Sequence, residues 1–191
     1  MRYQPKHKTE IHQKIVKDAA RRVRAEGLTG AAVSAVMQDT GLTHGGFYKH
    51  FRSKDDLLVE SLSEAFREIS DYLAHAAAQV RPGTAWKTIV KAYLSVEHCD
   101  HAERGCPMAA LASELARADK AMKARIFEEL TNYKVRMLPF MPGCTTLGKE
   151  RAFFVIFSTM IGAIEIARVL PEPAMRAKVL ESAKDFLLRS F

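Results

Sequence analysis

Apolar positions recur along this chain at helical spacing and almost nowhere in strict alternation. Ile11, Ile15, Val16, Ala19, Ala20 and Val23 form one stripe, which predicts a helix from about Lys8 to Glu26 that stops before Gly27. Val33, Val36 and Met37 predict a short second helix ending at Thr40, and Gly41 permits a tight turn behind it. Phe47 and Phe51, four apart, share the inner face of a third short helix that Thr43 is placed to cap. Before the second helix stands Gly30-Ala31-Ala32, so a hydroxyl cap is available only one turn earlier, from Thr29. Ser53 caps a long fourth helix with Asp55 and Asp56 in its first turn. Its stripe runs through Leu58, Leu62, Ala65, Ile69, Tyr72 and Leu73 to about Val80, where Arg81-Pro82-Gly83 ends it.

Further stripes predict a helix over 84–98 with Trp86, Ile89, Val90, Tyr93, Leu94 and Val96 inward. Another starts at Pro107, with Met108, Leu111 and Leu115 inward, and the pattern resumes through Met122, Ile126, Phe127, Leu130, Tyr133 and Met137 to Pro139. Residues 149–169 are apolar on nearly every side, and after Pro171-Glu172-Pro173 a last helix reaches Leu188. The expected fold is all-α: a three-helix head over 1–52 on an all-helical body over 53–191.

Composition agrees with a folded helical chain: 191 residues, 48% hydrophobic, with seven prolines and ten glycines. Charge adds an asymmetry. Residues 1–54 hold eleven Lys or Arg against four Asp or Glu, a surplus equal to the whole chain's +7, whereas 55–191 hold eighteen of each sign. Such placement points to a polyanion-binding head on an electrically balanced body. The longest strongly apolar stretch, 152–164, is too short to span a bilayer, the basic N-terminus leads into no apolar signal segment, and three unevenly spaced cysteines make no disulfide framework. A cytoplasmic protein without a membrane partner is expected.

The candidate chemistry follows the charge. Opposite Phe47 and Phe51, the third helix offers His44, Gly46, Tyr48, Lys49 and His50. Two small helices at a tight turn, the second entering a major groove, are the helix-turn-helix solution. Lys14, Lys17, Arg21 and Arg24 lie mainly off the stripe of helix one, either near phosphates or in solvent, and Arg2, Lys6 and Lys8 form a basic arm. No glycine-rich phosphate loop, paired carboxylate cluster or Ser/His/Asp set is present, and His12, His75 and His101 lack evident partners, so no enzyme and no cofactor is expected. His98-Cys99-Asp100-His101, with Glu103 and Cys106, gathers metal-capable groups, but at a spacing that matches no standard zinc arrangement.

Residues 11–58 resemble the DNA-binding head of the TetR/AcrR family of bacterial regulators. The resemblance is carried by the pattern of helix one, Gly27, Gly41-Leu42, and above all Gly45-Gly46-Phe47-Tyr48-Lys49-His50-Phe51 followed by Ser53-Lys54-Asp55-Asp56-Leu57-Leu58. It implies a TetR-like fold of about nine helices, in which Thr43, Tyr48 and Lys54 hold phosphates while Lys49 and His50 contact backbone or base edges. His44 stands where Lys or Arg is frequent and Gly46 where Thr or Ser is frequent. The implied protein is a repressor that binds a palindromic double-stranded DNA operator as a homodimer and is released by an apolar or amphipathic effector, with activation a lesser alternative.

For the effector, the resemblance implies a cavity among the body helices, with Trp86, Tyr93, Met108, Leu111, Phe127, Tyr133 and Phe157 as candidates; each fits a packed core as well. Phe154, Ile161, Gly162, Val179, Ala183 and Leu187 are candidates for a dimer interface between the last two helices of each copy. Arg104-Gly105-Cys106-Pro107 resembles one branch of the family with a Gly-Cys pair opening the sixth helix. A thiol there, near Arg104, could have a lowered pKa, which leaves open a thiol-based sensor in which modification of Cys106 releases DNA.

Overall fold

The computed structural model describes residues 5–81 and 83–191, so Arg2 of the expected arm and Pro82 of the expected stop lie outside them, as does the side chain of Lys6. It is all-α, with nine α-helices among the described residues: α1 (Pro5–Glu26), α2 (Val33–Asp39), α3 (Lys54–Ala78), α4 (Ala85–Tyr93), α5 (Val96–Asp100), α6 (Met108–Leu115), α7 (Lys120–Met137), α8 (Thr146–Val169) and α9 (Pro173–Ser190). The third element of the head, His44–Lys49, is a 3-10 helix.

Several helix ends follow their local chemistry. Gly27 takes a left-handed φ of 77° and stops α1; Gly41, at 74°, makes the turn after α2. Ser53 Oγ accepts the Asp56 N–H at 3.1 Å, and Asp119 Oδ1 accepts that of Met122 at 2.8 Å. Thr29 does not cap α2: its hydroxyl donates to Glu26 O, and α2 starts without a side-chain cap. The helix expected over 84–98 divides in two. Leu94 leaves helical geometry with ψ 51°, and Ser95 Oγ accepts the His98 N–H, starting α5. Val96, expected inward, is exposed as a result, and so is Tyr72 on α3.

Three apolar clusters organise the chain. The head cluster joins Ile15, Val16, Ala19, Val36, Met37, Phe47, Phe51 and Leu57. The body cluster is built around Leu73, Tyr93, Tyr133, Phe153, Phe157 and Ile164. Between them Val23 and Ala31 of the head pack on Leu58, Leu62, Leu111, Leu115 and Ile126. Polar ties reinforce this junction: Arg24 is 2% exposed, its Nη2 donates to Glu68 Oε2 at 2.6 Å and its Nη1 to Gly105 O at 3.1 Å, and Glu114 Oε2 accepts the Leu28 N–H at 2.9 Å. Arg24 is therefore a structural tie between head and body, not a surface cation. With 24 residues and an 18-residue window of mean hydropathy 1.8, α8 is long and apolar enough to cross a membrane by length and composition, contrary to the expectation from 152–164 alone. Its inner side packs into the body cluster instead.

Candidate nucleic-acid interface

The segment after Gly41 reads as helix in the sequence but is too short of helix formers to make an α-turn. Gly45 and Gly46 both favour the unfolded backbone, and Thr43 offers no side-chain cap; its carbonyl accepts the Gly46 N–H at 2.8 Å and closes a 3-10 turn instead. The segment is anchored from beneath. Phe47 and Phe51 are buried and stack with ring centres 5.3 Å apart, and Tyr48 and Lys49 between them face outward. Thr43, His44 and Lys49 are exposed, and Gly46 is half-buried over Met37. Tyr48 is 69% exposed although its ring meets Phe47 edge-on, which leaves its hydroxyl available to solvent. Lys54 is exposed at the first turn of α3.

His50 departs from the expected free face. Its ring is half-buried 6.0 Å from that of His12, and its Nδ1 is shielded without a hydrogen-bond partner. Burial lowers its pKa, with further contributions from His12, Lys8 and Lys49, so its neutral form is favoured. His12, without an evident partner in the sequence, stacks on Phe51 at 4.5 Å and meets Glu60 Oε2 at 2.6 Å. Forty-eight positions separate that pair, and no local pattern announces it.

The seven effector candidates do not converge. Tyr133 and Phe157 pack together in the body core with ring centres 5.0 Å apart, and Tyr93 is buried there as well. Leu111 belongs to the head–body junction, with Met108 packed against both clusters. Phe127 is 69% exposed on the outside of α7. Trp86 lines a cleft of about 670 Å³ with Phe140, Met141, Cys144 and Phe191.

Cys106 is fully buried, and burial raises its thiol pKa; the lowering contacts with Tyr93, Ala109 and Met108 are smaller effects. The expected lowering is thus reversed, because an apolar core opposes thiolate more than a helix start favours it. Its backbone serves structure: the Cys106 N–H donates to His98 Nε2 at 2.9 Å while His98 Nδ1 donates to Tyr93 O. Gly105 is required beside it, since a Cβ would come within 2.8 Å of His98 Nε2. Arg168 of α8 closes the network, donating to the carbonyls of His98, Cys99 and Ala109. Among the described residues no three His, Cys, Asp or Glu side chains group as metal ligands.

Of the dimer candidates, Leu187 is buried in its own chain's core, while Ile161, Gly162, Val179 and Ala183 are half-covered. Phe154 is exposed, as are Val155, Ile166 and Val169 on α8 and Met175 and Phe186 on α9. Because α8 reads as apolar all round, its sequence did not separate these outer positions from the inner ones.

Residues 15–60 match the family model described as bacterial regulatory proteins, tetR family. A comparison with curated proteins by sequence finds no match. Among solved structures, a TetR transcriptional regulator from Chloroflexus aurantiacus is similar at a TM-score of 0.76 and 22% identity, over 95% of this chain and 94% of that one. A TetR-family regulator from Cytophaga hutchinsonii gives 0.75 at 19% identity, over 98% and 97%. Escherichia coli NemR in its reduced form gives 0.75 at 14% identity, over 93% and 95%.

Proposed function

Because residues 15–60 match the family model for bacterial regulatory proteins of the tetR family, we propose that this chain is a TetR-type regulator: a cytoplasmic repressor that holds a palindromic DNA operator as a homodimer and leaves it when a small amphipathic effector binds. Residues 1–52 serve as the reading head and 53–191 as the effector and dimer body. The observation that carries this reading is the anchored segment 43–49. Two stacked phenylalanines fix its inner side, and Thr43, His44, Tyr48 and Lys49 stand free on the other, with Lys54 close behind in the chain. Lys49 and Lys54 neutralise phosphates, Tyr48 donates to the backbone, and His44 with Gly46 meets base edges.

Pairing of α8 and α9 with a second copy covers their exposed apolar side chains and sets two heads about one helical turn of DNA apart. An effector that binds more tightly to a head spacing unfit for DNA shifts the population off the operator.

Competition binding of the purified protein to duplexes from its own promoter region, against scrambled duplexes, tests the reading. About 10³-fold preference for one two-fold symmetric site is expected. Lys49→Ala and Lys54→Ala should each weaken binding on both duplexes and reduce the salt slope by about one. Equal affinity for promoter and scrambled DNA would overturn it.

A further inference from the structure

A cleft of about 320 Å³ opens where the head meets the body. Its walls are Arg21 of α1, Glu68, Ile69 and Tyr72 of α3, and Glu97, His98, His101 and Arg104 of the segment around α5. Its size falls within the range of small-molecule sites. None of the seven expected effector residues lines it. The exposed apolar surface is supplied by Tyr72, whose ring is open although it belongs to the apolar stripe of its helix, while Ile69 in the same wall is buried. Most of the charges are spoken for. Glu68 holds Arg24, Arg104 lies against Glu97 and Glu103, and His101 lies between the same two carboxylates. Arg21, exposed, has no ion pair among the described residues. A flat apolar side and one unmatched guanidinium define the chemistry that fits: an amphipathic carboxylate whose hydrocarbon lies on Tyr72 and whose anion meets Arg21.

We propose that this cleft is the effector site of the protein and that it takes a small aromatic or aliphatic carboxylate. The assignment rests on the repressor reading above and gives it a location. Position supplies the coupling. Arg21 rides on the first helix of the head, Tyr72 and Glu68 on α3, and Arg104 on the turn that packs against α1. At the back of the cleft, Glu68 and Gly105 O hold the two terminal nitrogens of Arg24, whose Nε donates to Ala20 O. A ligand seated there bridges head and body directly, so its binding energy differs between head placements and biases one over the other.

Isothermal titration calorimetry on the intact protein with phenylpropionate, phenylpropanol and phenylpropylamine tests the site without DNA. Saturable binding of the carboxylate is expected, at least about tenfold tighter than the alcohol or the amine. Arg21→Ala and Tyr72→Ala should each weaken it about tenfold or more while helical circular dichroism is retained. Absent binding of the carboxylate, equal or tighter binding of the amine, or unchanged affinity in both variants would overturn the site. Operator affinity, measured in parallel without ligand, reports on the repressor reading separately. Phenylpropionate should change that affinity in the natural sequence, and the concentration needed for half the change should rise about tenfold or more in Tyr72→Ala; binding without any change would overturn the assignment as effector site.

Discussion

His98 is held through both ring nitrogens, Nδ1 donating to Tyr93 O and Nε2 accepting from the Cys106 N–H, which fixes one neutral tautomer. Its pKa falls from 6.5 to about 4, chiefly because burial disfavours the charged ring, with Arg168 and Arg24 adding repulsion against the opposing Tyr93 hydrogen bond. The folded pKa is the lower one, so the unfolded chain takes up protons first as the solution is acidified. Stability from this residue is fully present above pH 6.5 and is lost as pH falls to about 4, by about 3 kcal/mol in all. Urea unfolding across that window should show His98→Gln losing correspondingly less stability than the natural sequence. An identical pH dependence in the two proteins would remove His98 as the cause.

A second residue-scale expectation concerns thiols: Cys144 is exposed, whereas Cys99 and Cys106 are buried. A maleimide added to the native protein should label Cys144 alone, and mass spectrometry of the digested product would find any adduct on Cys106.

At the scale of elements, the two kinds of glycine in the head part company. Gly27 combines a left-handed φ with a site where a Cβ would lie 2.6 Å from Glu114 Oε1, so Gly27→Ala should cost about 1 kcal/mol or more. Gly45 has neither constraint and nothing within 4 Å of an added Cβ, so Gly45→Ala should raise stability by about 0.5–1 kcal/mol. Thermal melts of both variants check the opposite signs; a lowered melting temperature for Gly45→Ala would contradict the open space seen there. Elements also mark how far the sequence could be read. Ser53, Gly27 and the Phe47–Phe51 pair were legible because capping, turning and four-residue spacing are local. The break between α4 and α5 was less so, since Leu94 continues the apolar stripe and only the Ser95 cap separates the helices. On α7, Phe127 follows the buried Ile126 and lies about 100° around the helix from it, so apolar content alone put both inward where only one is. The pairs His12–Glu60 and Arg24–Glu68 span dozens of positions and leave no periodic trace.

For the whole molecule, Phe154, Val155, Ile166 and Val169 of α8, with Met175 and Phe186 of α9, are large apolar side chains that the fold leaves uncovered. Val169 is 83% exposed. Replacing Phe154 and Ile166 together by Glu should leave the chain helical but shift its sedimentation from two copies to one, and should weaken operator binding by at least about tenfold through the loss of paired heads. Retained dimerisation in that double variant would place the contact elsewhere. The same uncovered side chains bear on dosage. Under the pairing proposed above, when most chains are single, doubling the number of molecules in a cell quadruples the number of assembled readers, so promoter control would switch over a narrower range of protein level than a solitary reader allows.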